Sequence, residues 1–322
     1  MILRKNTSVM NKLKENYSFN EEENAEMIVD EINPEELFCD SPMSDGWSLG
    51  IESDEVKESI CFPKSFDEYP RIVNSIEDLN KIELFCAAFR MSGFQFLFRG
   101  HAKEDFILSP TIVRNKVKDY GQEKAILEKW KIICQSNGYD KFKLDSFNDN
   151  LFYMSLGRHL GLFSRLLDWT AGLWDALSFL MEDKDDNREH DGILWILVCP
   201  KKDLNPKNGD PFLFEDDKVH LLREDYYFPN AKEDIPLGIL RRRLQNGYFS
   251  VVSEDLLDAS FEEIAKSTGY ELLKITIPKE TKSLLEGNQR IPPIDWLYGK
   301  ADEEEPIIKE VELLNQQFKV KD

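Results

Sequence analysis

Residues that bind metals or form disulfides are scarce. The chain holds four histidines and five cysteines in 322 residues. Its cysteines, Cys39, Cys61, Cys86, Cys134 and Cys199, show no CxxC spacing. Neither a zinc ribbon nor a disulfide framework is expected, and no bound metal. No run of about 18 apolar residues occurs, and the first residues, MILRKNTSVMNKLKENYS, lack the apolar centre of a signal peptide. A soluble cytoplasmic protein without membrane contact is the expectation. Positive charge is also short, with 41 Lys and Arg against 61 Asp and Glu and a net charge of -20. The overall field therefore gives nucleic acid or anionic lipid little attraction, and nucleic acid ranks last among partners. The chain shows no Walker loop, GxGxxG fingerprint, HExxH or GxSxG, which argues against common nucleoside triphosphatases, dehydrogenases, zincins and α/β-hydrolases.

Core material is plentiful. Hydrophobic residues make up 41% of the chain and include 21 Phe, a globular composition in a length that suits one main core with appendages. Residues 1–60 are the exception, with 15 Asp and Glu against 5 Lys and Arg. That segment buries too little apolar surface to offset the entropy of ordering it. It reads as a loosely ordered acidic arm, either a solvated extension or a docking or autoinhibitory segment. Residues 61–300 form the expected domain, and residues 301–322 a second acidic tail. Ser75 and Asp78 make a capping box before Leu79, Ile82, Phe85, Cys86 and Phe89, which predicts a helix over 76–91. FQFLF then reads as a buried strand ending at Arg99-Gly100, followed by a helix over about 121–135. The apolar block 151–181 reads as helix, turn, extended segment and helix. GILWILV, YFSVV and LLKITIP are further strand candidates. The fold class is α+β, mixed, with small, largely antiparallel sheets packed with helices.

Three polar clusters stand in this apolar material. In FRGH, residues 98–101, a cation and a glycine at a strand end allow an anionic ligand to approach closely, with Arg99 gripping phosphate and Gly100 leaving room. The plainer reading is a surface arginine at a turn. In RHLGLFSRLLDWT, residues 158–170, charges among Leu and Trp must be paired, hydrated or used. Arg165 and Asp168 either pair with each other or hold a ligand, while His159 reads better as a structural histidine than as a general base. In RRRLQNGYF, residues 241–249, three arginines either offset acidic charge or grip phosphate.

Together these clusters resemble the FRG domain, a bacterial family named for its Phe-Arg-Gly motif. The resemblance rests on Phe98-Arg99-Gly100, LSPTIVR ending at Arg114, RHLGLFSRLLDWTAGLWDALSFL, LQNGYFSV and the closing LLKITIP. It departs from the family pattern at Arg158, where glutamine is usual, and at Phe163-Ser164, where Pro-Thr is usual. A weaker resemblance to ADP-ribosyltransferases follows from the order of Arg99-Gly100, Asp168-Trp169-Thr170 with a helix at 172–181, and Gln245 or Glu271. That resemblance implies an ADP-ribosyltransferase-like fold and NAD as the substrate. Arg99, Gly100, His159, Arg165 and Trp169 would bind NAD, and Thr170 would fix Arg99 or the ribose. Asp168 would anchor this layer or face the developing cation, and Gln245 or Glu271 would orient the ribose. It further implies an effector or toxin in bacterial conflict such as phage defence, with a protein partner or antitoxin on the acidic arm. A noncatalytic module that binds a phosphate-bearing ligand or a protein is the alternative.

Overall fold

The computed structural model describes residues 71–91, 93–117, 119–144, 147–182, 186–204, 209–223, 239, 241, 244–245, 247–298 and 306–318. The expected acidic arm, and Arg242 and Arg243 of the arginine run, lie outside the described residues. Those described belong to the compact unit Pro70–Asp322.

Their helices are α1 (Ile76–Met91), α2 (Thr111–Arg114), α3 (Gly121–Ser136), α4 (Asp149–His159), α5 (Leu173–Leu180), α6 (Phe261–Thr268), α7 (Lys279–Leu285), α8 (Ile294–Tyr298) and α9 (Pro306–Phe318). The strands are β1 (Phe94–His101), β2 (Leu167–Thr170), β3 (Gly192–Pro200), β4 (His220–Arg223), β5 (Gly247–Val251) and β6 (Glu271–Ile277). They form one six-stranded open sheet in the order β4-β5-β2-β1-β3-β6, and every pair is antiparallel. The α+β class is met. The expected small sheets are instead continuous, because β1 bridges the two halves.

Local chemistry explains these elements. Ser75 Oγ accepts from the Asp78 amide at 3.2 Å, and Asp78 in turn accepts from the Asn74 amide at 3.1 Å, so the cap of α1 forms with its return bond displaced by one residue. Asn148 caps α4 through the Leu151 amide at 3.0 Å, and Ser260 caps α6. GILWILVCP is buried almost end to end, as suits a strand covered on both faces.

Side-chain alternation sorts the sheet into two faces. Phe96, Phe98, Phe249 and Val251 point to one. There α1 and α5 cover the β1-β3 half, with Phe85 edge-on to Phe96 at 6.2 Å. The β2-β5-β4 half packs into a cluster with Trp130 of α3, Phe152 of α4 and Val311 of α9. Leu97, Leu167, Trp169, Trp195 and Leu221 point the other way, against Phe261, Ile264 and Ala265 of α6. The chain end read as an acidic tail contributes to the core. In α9, Ile307, Val311, Leu314 and Phe318 are buried, and Asn315 clamps the turn before β2, accepting from the Phe163 amide and donating to the Gly161 carbonyl, both at 2.9 Å. No described helix is long and apolar enough to cross a membrane.

Candidate functional site

Strands β1 and β3 pair along eight residues, whereas β1 and β2 pair only at Phe98 and Thr170. Arg99 reaches into the gap where β1 and β2 part. Its Nη1 donates to the Asp168 carbonyl at 2.7 Å and stands 3.5 Å from the Asp168 carboxylate. Arg99 is thus not a surface arginine at a turn. It sits inside β1, its side chain is 13% exposed, and it supplies the carbonyl of Asp168 with a partner that β1 does not.

Asp168 is the centre of the cluster. Arg158, in the last turn of α4 where a cation suits the helix dipole, donates from Nη2 to Asp168 Oδ2 at 2.5 Å. Burial pushes the Asp168 carboxyl up, but the guanidiniums of Arg158 and Arg99, with His159 and Arg114, outweigh it and hold the group below the usual carboxylate range. It is therefore ionised at neutral pH. Arg114, exposed at the end of α2, is held below the usual guanidinium range by desolvation and then by the like charge of Arg158. Burial likewise lowers Arg99 to about 10, with Asp168 opposing, so its guanidinium remains cationic at neutral pH. Among the described residues three guanidiniums, those of Arg99, Arg114 and Arg158, act on the Asp168 carboxylate. Two atoms here, Asp168 Oδ1 and Arg158 Nε, are buried without hydrogen-bond partners among the described residues.

His101 supports Arg99. Burial first, then the charges of Arg99 and Arg114, lower its imidazole to about 3, so the ring is neutral. Arg99 Nε donates to Nε2 at 3.1 Å, which places the ring proton on Nδ1. Nδ1 then donates to the Phe106 carbonyl at 3.2 Å. Trp195 Nε1 lies 3.3 Å from the same nitrogen and, with that proton in place, makes only an edge contact. Around the other end of the cluster, Arg241 ties α4 to α8, donating to the His159 carbonyl at 2.8 Å and to the Tyr298 carbonyl at 2.6 Å. The His159 ring packs on Phe249 at 5.7 Å and against Gly247.

The remaining residues expected in the site go elsewhere. Arg165 does not pair with Asp168. The two are an odd number of positions apart at the start of a strand and so leave from opposite faces. Arg165, 2% exposed, pairs with Glu123 at 2.6 Å and Glu254 at 3.3 Å, and its guanidinium lies over the Phe212 ring. Trp169 points the same way and donates to Ser250 Oγ at 2.8 Å. Thr170 engages α5, accepting from the Gly172 amide at 3.1 Å and donating to Asp175 at 3.2 Å. The space beside Gly100 is filled by the backbone of α5, since a Cβ there would lie 1.9 Å from the Ala176 oxygen. Gln245 donates to the Leu297 carbonyl at 3.1 Å. Glu271 is exposed on the edge strand β6, opposite Val198. That is two strands across from β1 and three positions along from the Arg99 level, about 14 Å away. Reading the sequence did not single out Arg158, Arg114 or His101 as site residues. His101 shares the face of Arg99 by strand alternation, a usable signal, whereas only tertiary structure unites Arg114 with Arg158. Among the described residues no group of three or more His, Cys, Asp or Glu side chains is arranged to hold a metal.

The family model described as FRG domain matches residues 94–189. The chain carries an FRG domain. The matched span runs from the start of β1 to the turn before β3, and it contains Arg99, His101, Arg114, Arg158 and Asp168. The part of this FRG domain that the match covers is thus the part that builds the cationic cluster. No curated protein and no solved structure matches the chain.

Proposed function

We propose that this FRG domain binds NAD on the arginine cluster and cleaves its nicotinamide glycosidic bond, as an ADP-ribosyltransferase or NAD glycohydrolase. The observation that carries the reading is the grouping of Arg99, Arg114 and Arg158 around an ionised Asp168 whose Oδ1 is buried without a partner among the described residues. Grouped guanidiniums favour a pyrophosphate, which accepts bidentate hydrogen bonds. As the glycosidic bond breaks, its electron pair leaves with nicotinamide, which becomes neutral, and positive charge develops on the ribose. A fixed carboxylate stabilises that charge. Water, or a side chain of an acceptor protein, then bonds to the anomeric carbon and releases a proton. Asp168 is the carboxylate of the cluster, and Glu271, about 14 Å from Arg99, is not needed for this scheme. The elements behind the resemblance to ADP-ribosyltransferases are neighbours, since β1 with Arg99, β2 with Asp168 and β5 behind Gln245 lie side by side, which supports the reading. A role as a toxin or phage-defence effector, with a partner or antitoxin on the acidic arm, accords with such an activity.

A second reading has its own observation. Asp168 Oδ2 is already held by two arginines, and Gln245 is turned to Leu297, which suits a site that recognises a phosphate-bearing ligand without cleaving it. Nicotinamide release from labelled NAD separates the two. Wild type is expected to release nicotinamide, and Arg99→Ala and Asp168→Asn to abolish release while remaining folded. Tight NAD binding with no turnover in wild type refutes cleavage and leaves recognition.

A further inference from the structure

Beside the arginines stands a pair of exposed apolar side chains. Phe106 is 42% exposed and Ile107 70%, both in the connection from β1 to α2. Isolated exposed apolar residues are ordinary on any surface. What distinguishes this pair is how firmly it is tied to the cationic cluster. The Phe106 carbonyl accepts from His101 Nδ1 at 3.2 Å, and its ring stands edge-on to the imidazole with centroids 6.1 Å apart. The opposite nitrogen of that imidazole accepts from Arg99. One neutral ring therefore links Arg99 to Phe106 and sets the spacing between guanidinium and phenyl. Backbone bonds from the Phe106 amide to the Lys103 carbonyl at 3.3 Å and from the Ser109 amide to the Ile107 carbonyl at 3.0 Å hold the loop on either side.

We propose that Phe106, flanked by Ile107, is the platform on which the aromatic base of a nucleotide stacks while its phosphates lie on Arg99 and Arg114. The inference rests on the reading of the arginines as a nucleotide site and adds a determinant of specificity to it. Arginines alone take any phosphate, whereas an aromatic face at a fixed distance from them selects phosphates that carry a base. The partner class becomes nucleotides, with inorganic and sugar phosphates held more weakly.

The test is calorimetric titration of the full chain with pyrophosphate, ADP and ADP-ribose, in wild type, Phe106→Ser and Phe106→Tyr. Wild type is expected to hold ADP and ADP-ribose more tightly than pyrophosphate. Phe106→Ser should weaken both nucleotides by about 5- to 150-fold and leave pyrophosphate unchanged, and Phe106→Tyr should restore them. The proposal is overturned if nucleotides bind no more tightly than pyrophosphate, if Phe106→Ser leaves their advantage intact, or if it weakens all three alike. Binding of ADP through Phe106 in a protein that releases no nicotinamide from NAD refutes the cleavage reading and leaves the platform standing. Binding of none of the three overturns both.

Discussion

Gly100 gives two readings of one residue that a single substitution separates. In the motif it invites the idea of backbone room for an anionic ligand. In the fold that room is taken by α5. A Cβ on Gly100 would lie 1.9 Å from the Ala176 oxygen, 2.8 Å from the Leu180 nitrogen and 3.0 Å from the Ala176 carbonyl carbon. Real Cβ atoms do not approach closer than about 3.0 Å, so Gly100→Ala forces the helix back by about 1.1 Å, the difference between 3.0 and 1.9 Å. The clashing atoms are backbone and cannot rotate away. Overpacking of a tight core costs roughly 1–3 kcal/mol, occasionally more, and this clash belongs at the upper end, about 3 kcal/mol. For a domain of this size each kcal/mol lowers Tm by about 2–4 °C, a fall of about 6–12 °C. Thermal unfolding by circular dichroism reads the stability, and pyrophosphate titration at 20 °C reads the site. The expected result is a large fall in Tm with the arginine cluster still able to bind pyrophosphate. An unchanged Tm together with lost binding refutes the packing argument and restores Gly100 to the ligand.

Three other perturbations have defined outcomes. Arg165→Ala leaves the buried Glu123 carboxylate with the residue-165 amide but without its cation and should cost about 3–5 kcal/mol in urea unfolding, whereas the double variant Arg165→Met with Glu123→Leu should recover only part of that loss, because that amide then lacks its acceptor; equal losses in single and double variants would sink the idea of a buried pair. Asp168→Asn removes the carboxylate that Arg99 and Arg158 share and should tighten pyrophosphate binding about threefold to tenfold while ending nicotinamide release; weaker pyrophosphate binding would show that Asp168 chiefly holds the arginines in place. His101 has a folded pKa of about 3 against an ordinary 6.5, so as pH falls below 6.5 the unfolded chain takes the proton first. Its contribution is fully present above pH 6.5 and declines from there toward pH 3. Wild type should lose stability between pH 6.5 and 4 more steeply than His101→Gln, and parallel pH profiles would refute the neutral buried ring.

What could be read from the sequence depended on whether a signal was local. The cap at Ser75, the alternation in FQFLF and the apolar run GILWILV each concern a few adjacent residues, and each became the expected element. Strand β4, only four residues within a Pro- and Asp-rich connection, gave too short a signal to detect. Helix α9 had a usable one, since Ile307, Val311, Leu314 and Phe318 recur at spacings of four, three and four. The acidic charge around them drew attention to composition instead of period. RLLDWT shows the same lesson within the site. A period of two places Arg165 with Leu167 and Trp169 and sets Asp168 with Thr170 on the other face, so the charges nearest in sequence had to find different partners, and did so in Glu123 and Arg158.

The arginine cluster itself is a tertiary fact, because α2, α4, β1 and β2 each contribute one member and no spacing along the chain links them. Its physical meaning lies in the contrast with the rest of the molecule. A chain with a net charge of -20 repels phosphates at long range, so any anion that settles among Arg99, Arg114 and Arg158 is held by short, directed hydrogen bonds. Salt weakens long-range attraction far more than buried contacts. Arg99 and Arg158 are largely buried, so binding through them should depend little on ionic strength, and raising the salt should speed association by screening the acidic surface. That pairing of a nearly constant affinity with a salt-accelerated on-rate, read by stopped-flow, marks a designed anion site on an acidic protein. A steep loss of affinity with salt would instead indicate a diffuse basic surface, in which Arg99 has no special place.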